Sequence, residues 1–272
     1  MKNFIQESGK KWRGLSPEAY KIMDGSQYQP YVPPEQEIHE FTYRAGLLGV
    51  ILGIIFGAAN AYLGLKVGMT VTASIPVAVI SMGILRSVRK GTNVLENNMV
   101  QTIGSAGESI AAGVIFTIPA LLLMGLSPTL ISIFSVAALG GLLGVLLMIP
   151  FRHFLIVKEH GSLPYPEGTG CAEVLVAGEE GGSKVKTVFA GLGMGALYKL
   201  LMDPHLFGLW KETPSIKLPI LKKGVLSFDA FPALLGVGFI VGPRIAALML
   251  AGGALAWLGF IPLIATIGEG LT

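Results

Sequence analysis

The chain has 272 residues, of which 52% are hydrophobic and 14% charged, with a formal net charge of +3, one cysteine and a mean hydropathy of +0.65. So apolar a composition, with its charges clustered, describes an all-α membrane protein, a polytopic helical bundle, and excludes a water-soluble domain. The single cysteine excludes an internal disulfide and any multi-cysteine metal cluster, and the positive excess near predicted helix ends reads as topology rather than nucleic-acid affinity.

Residues 1–44 are polar, with Lys2, Lys10, Lys11, Arg13 and Lys21 and no apolar core of a cleavable signal, so they are expected to be a cytoplasmic amino-terminal segment. Tyr28 to Pro34 suggests an extended lead-in stiffened by proline. Residues 45–272 are expected to form a transmembrane domain of about six spans plus a re-entrant segment at 162–178. The first span runs from Ala45 to Leu65. Within it Ala45, Gly49, Gly53, Gly57 and Ala61 recur every four residues, which leaves one face smooth enough for a neighbouring backbone to approach closely. Asn60 is its polar residue and needs a hydrogen-bond partner, either as interhelical glue or as a substrate contact. A second span, Val67 to Leu85, is followed by Arg86, Arg89 and Lys90. The positive-inside rule puts that loop beside the amino terminus, so the pair is an out-and-back hairpin.

The third span, from about Asn97 to Met124, crowds Asn97, Asn98, Gln101, Thr102, Ser105, Glu108 and Ser109 into its first half, with Pro119 in the second. Polar residues at that density cannot face lipid. Glu108 in a span is a functional-site candidate, because a buried carboxylate must be protonated or paired; a helix starting later, near Ser105, would instead leave it as a first-turn residue in water. The fourth span, Leu130 to Pro150, carries Gly140 and Gly144 and ends at Arg152. Next, Glu159–Gly178 interrupts the apolar runs with two prolines and three carboxylates. Pro166 can open a helix with Glu167 in its first turn and Gly178 as its stop, but 166–178 would rise only about 20 Å, short of the roughly 30 Å hydrocarbon core. That describes either a re-entrant segment lining a cavity or a short helix on the membrane surface. Glu167 and Glu173 are six residues apart, about 120° around a helix, and so do not form a pair on one face. A fifth span covers Lys186 to Met202. Residues 203–229 hold four lysines, and His205 and Trp210 suggest interfacial anchoring. From Ala230 to Ile267 a short helix to about Val241, a break at Gly242-Pro243 and a full span are expected. Arg244, at the break, either presents charge to a substrate or caps a carbonyl at the membrane surface.

No enzymatic constellation is present: there is no His-Glu-x-x-His, no phosphate-cradling glycine loop and no Gly-x-Ser-x-Gly. His153 and His160 lack further ligands of ordered spacing, so neither a metal site nor a cofactor is expected. Four ordered blocks, Gly57–Gly68, Asn97–Ser109, Leu163–Gly178 and Gly236–Arg244, resemble the oligopeptide transporter (OPT) family, closest to its prokaryotic branch akin to the yellow stripe-like carriers. The resemblance implies a secondary active carrier in the inner (plasma) membrane, proton-coupled, with small peptides or, alternatively, metal chelates as substrate. Members are typically more than twice this length and built from two related halves, so the chain resembles an amino-terminal portion, and a partner chain, the missing half or a homo-oligomer, is a further expectation. The resemblance also favours the re-entrant reading of 162–178. The path residues expected are Glu108, Glu173, Glu167, Asn60, Gln101 and Arg244, with Glu167 serving the helix start and Glu173 the better functional candidate.

Overall fold

The structure is a computed structural model that describes residues 14–68, 70, 72–88, 91–163, 165–180, 183–219 and 224–268. Several basic residues used above for topology, Lys2, Lys10, Lys11, Arg13, Arg89, Lys90, Lys222 and Lys223, lie outside them. The chain divides into two compact units, Met1–Val188 and Phe189–Thr272.

The first unit is built on α1 (Tyr43–Val67), α2 (Ser74–Val88), α3 (Val94–Leu123), α4 (Leu130–Arg152) and α5 (Pro166–Glu180), and it takes in the start of α6 (Ser183–Met202). Thr42 caps α1 by accepting from the Ala45 N–H at 3.2 Å, and Gly68 ends it in the left-handed conformation, φ 75°. Asn93 caps α3 through the Glu96 N–H at 2.8 Å, and Thr129 caps α4. Because α3 starts at Val94, Glu108 lies about 21 Å along a continuous helix and is not a first-turn residue.

The four-residue spacing of small residues in α1 is met by α3. Gly49 lies against Ile103, Gly53 against Ile103 and Gly104, Gly57 against Gly107, and Gly64 against Ile115. The partners ascend together, so the two helices run parallel. At Gly107 a β-carbon would stand 2.8 Å from the Gly53 carbonyl oxygen, a backbone approach that glycine alone permits. Helix α2 lies against α3, where a β-carbon on Gly104 would meet the Val77 side chain at 2.9 Å, and against α5, where Arg86 donates to the Gly178 carbonyl. Thr42–Arg44, Leu85, Val88, Thr92 and Glu96 line one cleft, so the start of α1, the end of α2 and the start of α3 share one end of the unit. Helix α2 therefore runs antiparallel to α1 and α3.

The second expected span differs from its sequence reading. Val67 to Leu85 does not form one membrane-length helix: α2 begins at Ser74 and, at 15 residues, rises about 22 Å. Its residues 72 and 73 are non-helical. Helix α5, also 15 residues, opens at Pro166 as expected and continues past Gly178 to Glu180. Two short helices therefore lie side by side where one was foreseen. Four helices among the described residues are long and apolar enough to cross a membrane: Tyr43–Lys66, Val94–Leu123, Leu130–Lys158 and Pro232–Gly268, counted through short π-helical turns in the last two.

Residues 14–41 pack as a strap within the first unit rather than standing apart as a lead-in. The Met23 N–H donates to the His160 carbonyl at 3.4 Å, Tyr28 stacks on the His160 ring at 4.9 Å, and Asn93 donates to the His39 carbonyl at 3.0 Å.

In the second unit, Lys199 pairs with Asp203 at 3.3 Å and with Glu212 and lies over the Phe231 ring, while Tyr198 meets Trp210. Hydrogen bonds from His205 and Lys199 hold the Asp203 carboxyl below its usual range. The loop that follows carries an unforeseen two-stranded antiparallel hairpin, β1 (Ser215–Lys217) with β2 (Val225–Ser227). Helix α7 (Pro232–Ala254) is broken at Gly242, φ 80° and ψ 167°, immediately before Pro243, as its sequence predicts. A π-helical turn and α8 (Ile261–Gly268) complete the unit.

Candidate functional site

The polar groups of the first unit converge on the amino-terminal end of α2. A helix start presents unpaired N–H groups and the positive end of the backbone dipole, so it attracts carboxylates. Two arrive from different helices. Glu108, buried on α3, accepts from the Ala73 N–H at 2.6 Å. Glu167, in the first turn of α5, accepts from the Thr72 hydroxyl at 2.5 Å. Adjacent residues of the α1–α2 connection are thus clamped by carboxylates of α3 and α5. Ser74 and Ser105 hydroxyls meet at 2.9 Å across the α2–α3 contact, and the Cys171 thiol faces the Ser74 carbonyl at 3.8 Å.

Beside this clamp lies a cavity of about 360 Å³, with polar lining from Thr72, Ser74, Asn98, Gln101, Ser105 and Glu167 and apolar lining that includes Leu175. Asn98, Gln101, Ser105 and Glu108 are spaced 3, 4 and 3 residues apart, which places them along one stripe of α3. The stripe explains why a membrane-length helix carries so many polar groups: its amides and hydroxyls line a cavity between α3, α2 and α5. Neutral donors and acceptors with one carboxylate in the wall and another on the adjoining backbone can bind a polar zwitterionic or cationic solute, and either carboxylate can take up a proton.

Of the residues expected to line a path, Glu108, Glu167 and Gln101 are brought together. Asn60 is buried on α1, between Gly57 and Gly64 on the stretch packed against α3, and is not among the residues lining the cavity. Glu173 is exposed on α5 and accepts from the Tyr20 hydroxyl of the strap. Desolvation and the Glu173 carboxylate together push the Tyr20 phenol up to about 12. Arg244 is exposed in the second unit, next to the break. Glu167 faces the cavity and Glu173 faces the strap. Thr72 and Ser74 were not foreseen as site residues, because a hydroxyl in the expected second span gives no sign that the helix starts only at Ser74. No group of three or more His, Cys, Asp or Glu side chains able to hold a metal ion occurs among the described residues.

The model of the family "OPT oligopeptide transporter protein" matches residues 40–271. The chain belongs to the OPT family. A curated protein of Haemophilus influenzae named "Putative oligopeptide transporter" is 38% identical over 216 residues, which cover 74% of this chain and 32% of that protein. The chain therefore spans about a third of the length of the curated OPT relative it matches. No solved structure matches it.

Proposed function

We propose that the chain serves a proton-coupled secondary carrier of small peptides, and that its part of the substrate path is the cavity at the start of α2. The observation that carries this reading is the convergence of Glu108 and Glu167 on Thr72 and Ala73, beside a cavity lined by amides and hydroxyls. The family match and the name of the Haemophilus influenzae relative supply the substrate class. A proton arriving at Glu108 or Glu167 would take away the charge that accepts the Ala73 N–H or the Thr72 hydroxyl, and so can alter the clamp on the α1–α2 connection as substrate enters or leaves. Helices α2 and α5, each too short to cross the hydrocarbon, suit such a site, because non-helical backbone at membrane depth is tolerated where it lines a cavity. The end shared by Arg44, Arg86 and the strap is the cytoplasmic one by the positive-inside rule, in the plasma membrane.

Uptake of labelled trialanine into proteoliposomes under an inward proton gradient tests the proposal. Glu167→Gln should reduce gradient-driven uptake at least tenfold while leaving peptide exchange across the membrane measurable. Gradient-driven uptake unchanged in both Glu167→Gln and Glu108→Gln would overturn the reading.

A further inference from the structure

The strap touches α5 and its approach at several levels. The Tyr28 ring stacks on His160 in the loop before the helix, the Tyr20 hydroxyl donates to Glu173 in its middle, and the Gly14 N–H donates to Glu180 at its end at 2.7 Å. Val32 of the strap also packs on the cluster of Ala78, Val94, Cys171 and Leu175, which joins α5 to α2 and α3. The first turn of α5 is what places Glu167 against Thr72.

We infer that Tyr20 is a positioning residue: by donating to Glu173 it latches α5 in the orientation that holds Glu167 against Thr72 at the cavity. The inference rests on the reading of that cavity as the substrate path. It gives Glu173 a different task from Glu167. Glu173 is an acceptor for a phenol outside the cavity, so it needs an oxygen and not a charge, whereas a group that carries a proton along the path needs to ionise. Releasing the latch loosens α5 and the cluster on which Val32 packs, and that cluster holds Cys171, the one cysteine of the chain and a buried one.

The native cysteine reports the latch without any transport assay. In the intact chain, the rate at which N-ethylmaleimide modifies Cys171 should rise about fivefold to tenfold in Tyr20→Phe and in Glu173→Ala, the range expected when one hydrogen bond is lost from a local opening equilibrium. Glu173→Gln, whose amide oxygen still accepts, should label at the wild-type rate. The double variant Tyr20→Phe with Glu173→Ala should label no faster than either single one, because both remove the same bond. Tyr20→Phe keeps the ring and its packing, and hydrogen exchange of the α3 amides, unaltered in every variant, establishes that the rest of the unit stays folded. Wild-type labelling in Tyr20→Phe, or Glu173→Gln behaving as Glu173→Ala, overturns the latch. Trialanine uptake by the two path variants separates the two readings: altered labelling in the latch variants alongside undiminished uptake in both Glu167→Gln and Glu108→Gln sinks the path and leaves the latch standing.

Discussion

Helices α1 and α4 carry the same four-residue spacing of small residues, and a backbone has come up against one of them and not the other. In α1, Gly49, Gly53 and Gly57 each lie against α3, closely enough that a methyl group at Gly49 would overlap the Ile103 side chain. In α4, a β-carbon at Gly140 or Gly144 would meet nothing within 4 Å, and it is one at the intervening Gly141 that would meet the Ile110 side chain at 3.3 Å. One residue is 100° of helix, so the face of α4 turned to α3 is not the face its spacing advertises. Small residues at this interval make a face smooth; whether a second backbone occupies it depends on which partner the fold brings there. The same turn of α3 shows how far such a meeting can be specified, since Gly107 faces the α1 backbone while the next residue, Glu108, bonds to the Ala73 N–H at the start of α2.

Substitution at the closest point of the α1–α3 seam should break this contrast most severely. Gly107→Leu forces a side chain into the Gly53 carbonyl and should cost about 3 kcal/mol of stability, an overpacking effect, read as a lowered midpoint in denaturation by SDS from mixed micelles. Next comes the polar side of that turn. Glu108→Ala leaves the Ala73 N–H buried without its acceptor and should cost about 1–3 kcal/mol in the same assay, with a smaller loss for Glu108→Gln, which retains a carbonyl oxygen. The smallest effect belongs to α4: Gly140→Ala with Gly144→Ala should leave stability unchanged or raise it by up to about 1 kcal/mol per site through helix propensity. A loss comparable to that of Gly107→Leu would mean that α4 has a close backbone partner on that face.

Much of the membrane architecture was legible in the residues. Pro166 opens α5 and Gly242-Pro243 breaks α7, because a missing N–H and a positive φ act within a turn of the residue that causes them. The glycine seam was legible as a face without its partner being named. The boundary of α2 was not: Val67 to Leu85 is apolar enough to read as one span, and the non-helical residues Thr72 and Ala73 are held in part by acceptors from α3 and α5 that are distant in sequence. The hairpin of Ser215–Lys217 with Val225–Ser227 escaped notice for a related reason, since strands of three residues are too short to show a period.

The candidate site divides in the same way. Glu108 stood out because a carboxylate in an apolar helix demands a partner, and Glu167 because a first-turn acid suits the helix dipole. Their convergence on neighbouring residues of one connection is a property of the packing of three helices, and no spacing within α3 or α5 contains it. The different surroundings of Glu167 and Glu173 have the same origin. Seen along α5 alone, Glu173 is the carboxylate with apolar neighbours and so the one that asks for a function.

The sequence by itself determined that this is a helical membrane protein of the OPT family, where most of its helices start and stop, and that α1 has a face fit for close packing. Those are consequences of composition and of forces that act over one or two turns. The tertiary structure alone decided that α3 occupies that face, that α2 is short, that Glu108 and Glu167 meet across the start of α2, and that the strap reaches Glu173. Each of these depends on which surfaces end up in contact, and a bond such as that of Thr72 with Glu167, 95 residues apart, leaves no local mark in the chain.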